Sequence, residues 1–294
     1  MKIALVQFAP GGDTERTRRK VEQHVRAARS RGAGLVCLPE LGCHPWFLAE
    51  RDPDPAPHAV SPGGDLEGWA RALARDAGVA LVLPFCERSL QGVYHNSALI
   101  VEPDGSVAGR YRKVHLPDIP GWPERRVFAP GDLGFPVFRV GDLTLGVQLG
   151  WDHFFPEGFR CLALAGAHVV FVPTAAAYAT RERWLAMGVS HAIANGIYVV
   201  RVNRVGSEAG LDFYGHSFVV RPDGDLVAEP MPLGEGVFLA ELDVGAVEEA
   251  RRTWPFLRDR RPRQYAAIAG VPWPETAEGL PEGAPADPPA GGSP

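Results

Sequence analysis

The chain alternates short apolar runs with longer stretches that carry apolar residues at helical spacing. Runs at Ile3 to Phe8, Leu35 to Leu38 and Val79 to Phe85 enclose two such stretches. Short apolar runs of this kind are typical of strands covered on both faces. Asp13 or Thr14 is placed to cap the first helix. The order strand, helix, strand, helix, strand therefore predicts an α/β fold.

The same alternation returns in the second half, and each half is followed by a predicted hairpin. Tyr94 to Val101 is joined to Val107 to Tyr111 by a Pro-Asp-Gly turn, and His216 to Arg221 is joined in the same way to Asp225 to Ala228. Proline and glycine preset the dihedral angles of such turns. Two β-rich halves with helices outside indicate a four-layer α-β-β-α sandwich, although an ordinary doubly wound sheet fits the same periodicity.

Composition limits the domain count and the partners. With 46% hydrophobic residues, the chain of 294 residues can bury a sizeable core, and we predict a single domain over residues 1–273. A Pro-, Gly- and Ala-rich arm is predicted over residues 274–294. A net charge of -5 gives no basic surface for nucleic acid. No run approaches the roughly eighteen apolar residues of a membrane span, and the first strand is too short for a signal peptide. We therefore expect no nucleic-acid or membrane partner and a cytoplasmic location.

The four cysteines follow no spacing that predicts a metal site or a disulfide framework, so we expect reduced thiols, no metal and no cofactor. Phosphate-loop, zinc-protease, serine-hydrolase and dinucleotide-binding motifs are also missing from the sequence. Cys43, three residues past Glu40, is the one cysteine we expect near a pocket. Cys37, inside a strand, and Cys161, on a helix, are expected in the core.

One stretch of the second half, Leu143 to Glu157, places a polar and aromatic turn directly after a strand. Leucine and valine alternate with small and polar residues, which predicts a strand that ends near Gly150. Pro156 and Glu157 suit the first turn of a helix. An elbow between a strand and a helix often carries a nucleophile, because it lifts one side chain beside backbone N–H groups that stabilise an oxyanion.

This stretch resembles the nucleophile elbow of the nitrilase superfamily, the carbon–nitrogen hydrolases, which usually reads G-V-x-I-C-[WY]-D-x-x-F-P-E-x-x-R. The residues that match are Gly146, Val147, Trp151, Asp152, Phe155, Pro156, Glu157 and Arg160. At the position of the family's catalytic cysteine the chain has Gly150, which has no side chain for an attack. The resemblance covers about Lys2 to Arg263 and implies the four-layer sandwich.

Two further family motifs imply the rest of the catalytic set. Glu40 in LVCLPEL matches L-x-x-P-E and is implied to be the general base; taken alone, it would be a solvated glutamate after a strand. Lys113 matches the lysine of Y-x-K-x-H-L and is implied to stabilise the oxyanion. In the loop beyond, Glu124 matches a glutamate that orients this lysine, and Asp118 is the alternative.

The resemblance also implies a substrate. Several loops are similar to those of the branch that hydrolyses N-carbamoyl amines such as N-carbamoylputrescine, in polyamine biosynthesis. The Trp151 N–H is implied to be a second oxyanion donor, and Trp46 to supply an aromatic wall where that branch commonly has tyrosine. Thr174 and His153 complete the candidate binding residues.

Two functions remain open for this chain. One is a hydrolase of N-carbamoyl amines whose nucleophile position is altered, and the other is a protein that binds an amide or carbamoyl ligand, or a partner subunit, without turnover. The glycine leaves a small volume beside Glu40 and Lys113, where we expect a water that Glu40 activates for slow hydrolysis. The resemblance further implies a homodimer or a higher homo-oligomer.

Overall fold

The computed structural model describes residues 1–177, 180–265 and 267–268. A first compact unit is formed by Met1–Leu257, and a second begins at Arg258, where the described part includes a short 3₁₀ helix, Pro262–Tyr265. The first unit ends before the predicted boundary at residue 273. The predicted arm, residues 274–294, lies outside the described residues.

The first sheet is built mainly by the first half of the chain. It contains six strands, in spatial order β13 (Gly236–Glu241), β1 (Lys2–Gln7), β2 (Leu35–Cys37), β3 (Ala80–Leu90), β4 (Val93–Val101) and β5 (Val107–Arg112). β1, β2 and β3 are parallel to one another. The remaining pairs in this sheet, β13 with β1, β3 with β4 and β4 with β5, are antiparallel. Helices α1 (Thr14–Ser30) and α2 (Asp65–Ala77) connect the parallel strands, and the Asp13 side chain caps α1 as predicted.

The second sheet repeats this arrangement with five strands. They are, in spatial order, β12 (Phe218–Val220), β9 (Tyr198–Asn203), β8 (Val169–Thr174), β7 (Leu143–Val147) and β6 (Val137–Val140). β7, β8 and β9 are parallel, and α4 (Pro156–Leu164) and α5 (Arg181–Asn195) connect them. The remaining elements are β10 (Val205–Glu208), β11 (Leu211–Tyr214), α3 (Glu124–Val127), α6 (Val244–Thr253) and two 3₁₀ helices, Phe47–Ala49 and Gly150–Phe154.

The apolar core fills three interfaces between layers. Leu5 and Val82 of the first sheet share one buried cluster with Val147 and Phe171 of the second. A second cluster packs the first sheet against α1 and α2, and a third packs the second sheet against α4 and α5. The fold is therefore the four-layer α-β-β-α sandwich rather than one doubly wound sheet.

The first predicted hairpin is confirmed by the antiparallel pair β4 and β5, and the second is present only as a turn closed by a single antiparallel bridge. Residues 225–228 form no strand, and only Leu226 bridges to Val220 of β12. Pro230 and Pro232 follow closely and lack the N–H groups that a longer ladder needs.

A hairpin that the sequence analysis did not predict lies just before, where β10 pairs with β11. Its turn residues, Ala209 and Gly210, both have positive φ, at 49° and 79°. Positive φ at both central residues suits the twist of a two-residue hairpin.

No helix in the part of the chain that the structure describes is both long and apolar enough to cross a bilayer.

Candidate active site

The predicted elbow follows β7 of the second sheet. β7 ends at Val147, and the chain continues into the 3₁₀ helix Gly150–Phe154 before Pro156 opens α4 at its first position. Gly150 has a φ of 45°, in the left-handed region that favours glycine. The elbow thus has the predicted form, with a residue that carries no side chain at its tip.

Asp152 connects this elbow to the segment that carries Lys113. Its Oδ2 accepts hydrogen bonds from the Leu149 N–H at 3.0 Å and from the Tyr111 hydroxyl at 2.7 Å, and its Oδ1 accepts from the His115 N–H at 2.8 Å. Asp152 is fully buried. The sequence singled it out only as a motif match, whereas the structure shows that it joins the two halves of the site.

Glu40, Lys113 and Glu124 form one buried cluster, as predicted from their motifs. Lys113 Nζ donates to Glu40 Oε1 and to Glu124 Oε1, both at 2.7 Å. All three side chains are at most 2% exposed. The alternative residue, Asp118, pairs instead with Arg126 at 2.9 Å, so Glu124 is the second carboxylate at the lysine.

Two further groups complete the hydrogen bonds of this cluster and were missed from the sequence. Asn96 Nδ2 on β4 donates to Glu40 Oε1 at 2.9 Å and to Glu124 Oε2 at 3.2 Å. The Ala175 N–H donates to Glu40 Oε2 at 3.0 Å. A polar residue inside the apolar strand β4 was the available signal for Asn96, because buried polar groups need partners.

The electrostatics of the cluster follow from two carboxyl groups around one ammonium. Burial lowers the pKa of Lys113, but Glu124 and Glu40 more than offset this and raise it above its ordinary value, so the lysine stays cationic. Burial also raises the pKa of Glu124, to about 7, against the opposing effect of Lys113. The Glu124 carboxyl group therefore ionises less readily than an ordinary glutamate.

The space beside Gly150 is filled by Glu40. A Cβ atom added to Gly150 would lie 2.7 Å from Glu40 Oε1 and closer still to Oε2, which is too close for either atom to stay in place. Glu40 therefore takes up part of the volume in which a water was expected, and the water itself stays a prediction. The carboxylate reaches into the space because glycine presents no side chain against it.

The cluster opens into a cavity of about 370 Å³. Four aromatic rings line it together with the backbone of residues 174–177: Trp122, Trp151, Phe154 and Trp184. Trp151 and Thr174, both predicted, lie in this lining. The Thr174 hydroxyl donates to the Val172 carbonyl at 2.9 Å. The cavity is thus mainly apolar, with the Glu40–Lys113–Glu124 cluster in its lining, as is common for small-molecule sites.

Two other predicted binding residues lie outside this lining. Trp46 is buried behind Trp122, with the ring centroids 6.3 Å apart, and its Nε1–H donates to the Gly121 carbonyl at 3.0 Å. His153 is buried beneath the site, where its Nε2 lies 2.8 Å from the Trp184 carbonyl. Both side chains pack against the walls of the cavity instead of forming them.

The cysteines supply no substitute thiol in the cavity lining. Cys43 is buried, and this burial raises its pKa to about 12, which keeps the thiol protonated. Cys37 is buried in β2 as predicted, but Cys161 is exposed on α4 and the core prediction for it was wrong. Among the described residues, no three His, Cys, Asp or Glu side chains are grouped as a metal site requires.

This arrangement combines a carboxylate, a cation and an aromatic pocket beside an elbow. A carbonyl group bound there meets the Lys113 ammonium, which stabilises negative charge on its oxygen. A covalent route further needs a nucleophile, and Gly150 provides none.

Comparisons with known proteins agree with this geometry. Residues 2–252 match the family model of the carbon-nitrogen hydrolases. The chain is 34% identical over 283 residues to the N-carbamoylputrescine amidase of Solanum lycopersicum, covering 90% of this chain and 94% of the relative. The crystal structure of a carbon-nitrogen hydrolase from Helicobacter pylori G27 superposes with a TM-score of 0.84 at 33% identity, covering 92% of this chain and 98% of that one.

A further solved structure is a cysteine-to-alanine mutant of the amidase from Nesterenkonia sp. AN1 in complex with butyramide. It has a TM-score of 0.78 at 27% identity and covers 91% of this chain and 96% of that one. The family model and the tomato relative each span most of the chain. The chain therefore belongs to the carbon-nitrogen hydrolase family.

Proposed function

We propose that this chain binds a small amide or an N-carbamoyl amine in the aromatic cavity and does not form a covalent intermediate with it. One observation carries the proposal: the complete Glu40–Lys113–Glu124 cluster opens into the cavity beside an elbow with no thiol. The side chains that could hold a carbonyl group are present, and the thiol that would attack it is absent at Gly150.

The cluster supplies the contacts that hold the carbonyl group. Lys113 belongs to the cavity lining and its ammonium group stays cationic, so it favours an electron-rich oxygen. Aromatic rings cover the remainder of a short linear ligand, because they bury a large apolar area with few rotatable bonds.

Two of the relatives support this ligand class. The Nesterenkonia amidase mutant holds butyramide although one of its cysteines is replaced by alanine. The tomato relative is an N-carbamoylputrescine amidase, which agrees with the ligand and the polyamine biosynthesis expected from the sequence. N-Carbamoylputrescine and butyramide are therefore the first two ligands to test. The cytoplasmic location and the homo-oligomeric state stay predictions.

Slow hydrolysis by a water in place of the thiol is less favoured. The Glu40 carboxylate already fills the space next to Gly150, and its oxygens accept bonds from Lys113, Asn96 and the Ala175 N–H. A water reaches this position only if Glu40 gives up some of these bonds. We therefore assign the chain as it stands to binding and not to turnover.

Calorimetry and intact-mass spectrometry test the proposal on the unmodified protein. We expect saturable binding of butyramide, one per chain, and an unchanged protein mass after incubation with either butyramide or N-carbamoylputrescine. Butan-1-ol is the matched control, since it keeps the apolar tail but lacks the amide, and it should bind more weakly. Equal binding of butan-1-ol, or a mass adduct on any residue, would be evidence against the proposal.

A further inference from the structure

One positive charge at the cavity is not used by the hydrolytic cluster. Arg183, in the first turn of α5, lines the cavity and is exposed. Within the described residues, no hydrogen bond or ion pair occupies its guanidinium group. Its neighbour Arg181 differs on both counts, because it pairs with Glu182 at 2.7 Å and does not line the cavity.

The lining offers no corresponding negative charge for a cationic ligand. Glu40 and Glu124 are the acidic residues among the described lining residues, and both are bound to Lys113. Their carboxyl groups are at most 2% exposed. An ammonium group at the far end of a ligand therefore finds no unpaired carboxylate in the described lining.

The aromatic wall next to Arg183 does not favour a cation either. Aromatic faces attract cations, but the ring of Trp184 already has the Arg201 guanidinium 4.7 Å from its centroid. Arg201 is fully buried, so its charge is poorly screened by solvent. A ligand cation beside the Trp184 ring would therefore lie near the Arg201 guanidinium group.

We propose that the cavity selects amide or N-carbamoyl compounds whose far end is a carboxylate, and that Arg183 recognises this carboxylate. The inference rests on the proposed function, because the carbamoyl end is taken to bind at Lys113. A guanidinium group matches a carboxylate with two parallel N–H donors. The cavity volume of about 370 Å³ is at the small end for ligand sites and suits a short linear ureido acid.

Three ureas that differ only in their terminal group test this selectivity by calorimetry at low salt. They share a ureido group and four methylenes, and end in a carboxylate (5-ureidopentanoate), a methyl group (pentylurea) or an ammonium (N-carbamoylputrescine). We expect 5-ureidopentanoate to bind about tenfold more tightly than pentylurea, as a charge-assisted hydrogen bond provides, and N-carbamoylputrescine to bind most weakly. The preference should shrink as salt is added.

Matched arginine variants assign the preference to one residue. Arg183→Gln should abolish the difference between 5-ureidopentanoate and pentylurea. Arg181→Gln, an exposed neighbour in the same helical turn, should keep the full preference.

The outcomes separate this inference from the proposed function. Tighter binding of N-carbamoylputrescine than of 5-ureidopentanoate, or a preference that survives Arg183→Gln, overturns the inference and leaves the proposed function standing. If none of the three ureas binds, the proposed function fails and the inference falls with it.

Discussion

Gly150 and Glu40 together determine the chemistry at the elbow. The glycine has a φ of 45°, and the Glu40 carboxylate lies where a Cβ atom would be. The sequence predicted the position of both residues from short motifs. It did not predict their contact, because the rotamer of Glu40 depends on Lys113, Asn96 and the Ala175 N–H, which come from distant parts of the chain.

We predict that Gly150→Ala lowers the free energy of unfolding by about 1–2 kcal/mol, since an L-residue at positive φ is strained by about this amount. The new Cβ also displaces the Glu40 carboxylate. Urea denaturation measures the change. Gly68→Ala is the control: Gly68 is exposed in α2 and a Cβ there meets nothing within 4 Å, so this variant should gain about 0.5–1 kcal/mol. Equal stability of the two variants would refute this explanation.

Motifs located the charged residues of the site better than the residues around them. Glu40, Lys113 and Glu124 meet as expected. Trp46 was expected in the wall but lies behind Trp122, because the order of two packed rings depends on tertiary contacts that a sequence motif does not record.

At the scale of elements, the site depends on how the elbow is fixed to the end of β5. Asp152 at the elbow accepts hydrogen bonds from Tyr111 in β5 and from the N–H of His115 beyond it, and Lys113 lies between these two residues. These bonds fix the distance between Gly150 and Lys113. A weaker connection should therefore loosen the site as well as the fold.

We predict that Asp152→Asn costs about 2–4 kcal/mol of folding free energy, because the new amide N–H₂ group faces donors and leaves buried groups unpaired. Tyr111→Phe removes the hydroxyl that donates to Asp152 and accepts from Gln148 Nε2, and it should cost about 1–2 kcal/mol. Urea denaturation midpoints at equal slope give both values. If Asp152→Asn proved no more destabilising than Tyr111→Phe, the proposed role of Asp152 would be wrong.

Periodicity predicted most elements and failed where the backbone follows turns. The alternating pattern of Leu143 to Val147 and the proline at α4 gave correct elements. Residues 225–228 had a plausible turn before them, yet the prolines that follow limit the pairing to one bridge. The hairpin of β10 and β11 was missed because its strands are short and partly exposed.

For the whole molecule, the four-layer sandwich places residues of both sheets in one site. Glu40 and Lys113 follow strands of the first sheet, while Gly150 and Thr174 come from the strand ends of the second. Periodicity alone left a doubly wound sheet open, since it does not show whether two sets of strands face each other. The family resemblance decided this before the shared core between the sheets confirmed it.

Glu40, Lys113 and Glu124 lie together beside the elbow and only the nucleophile is missing from the motifs, so restoring a thiol should restore chemistry. We measure ammonia release from butyramide and 5-ureidopentanoate by the parent chain, Gly150→Cys and Gly150→Ala. Removing a nucleophile from a serine hydrolase costs on the order of 10⁶ in turnover, so a large gain is expected for Gly150→Cys. Gly150→Ala, which adds the same Cβ without sulfur, should stay at the level of the parent. A folded Gly150→Cys protein that binds these ligands and releases no ammonia would contradict the account.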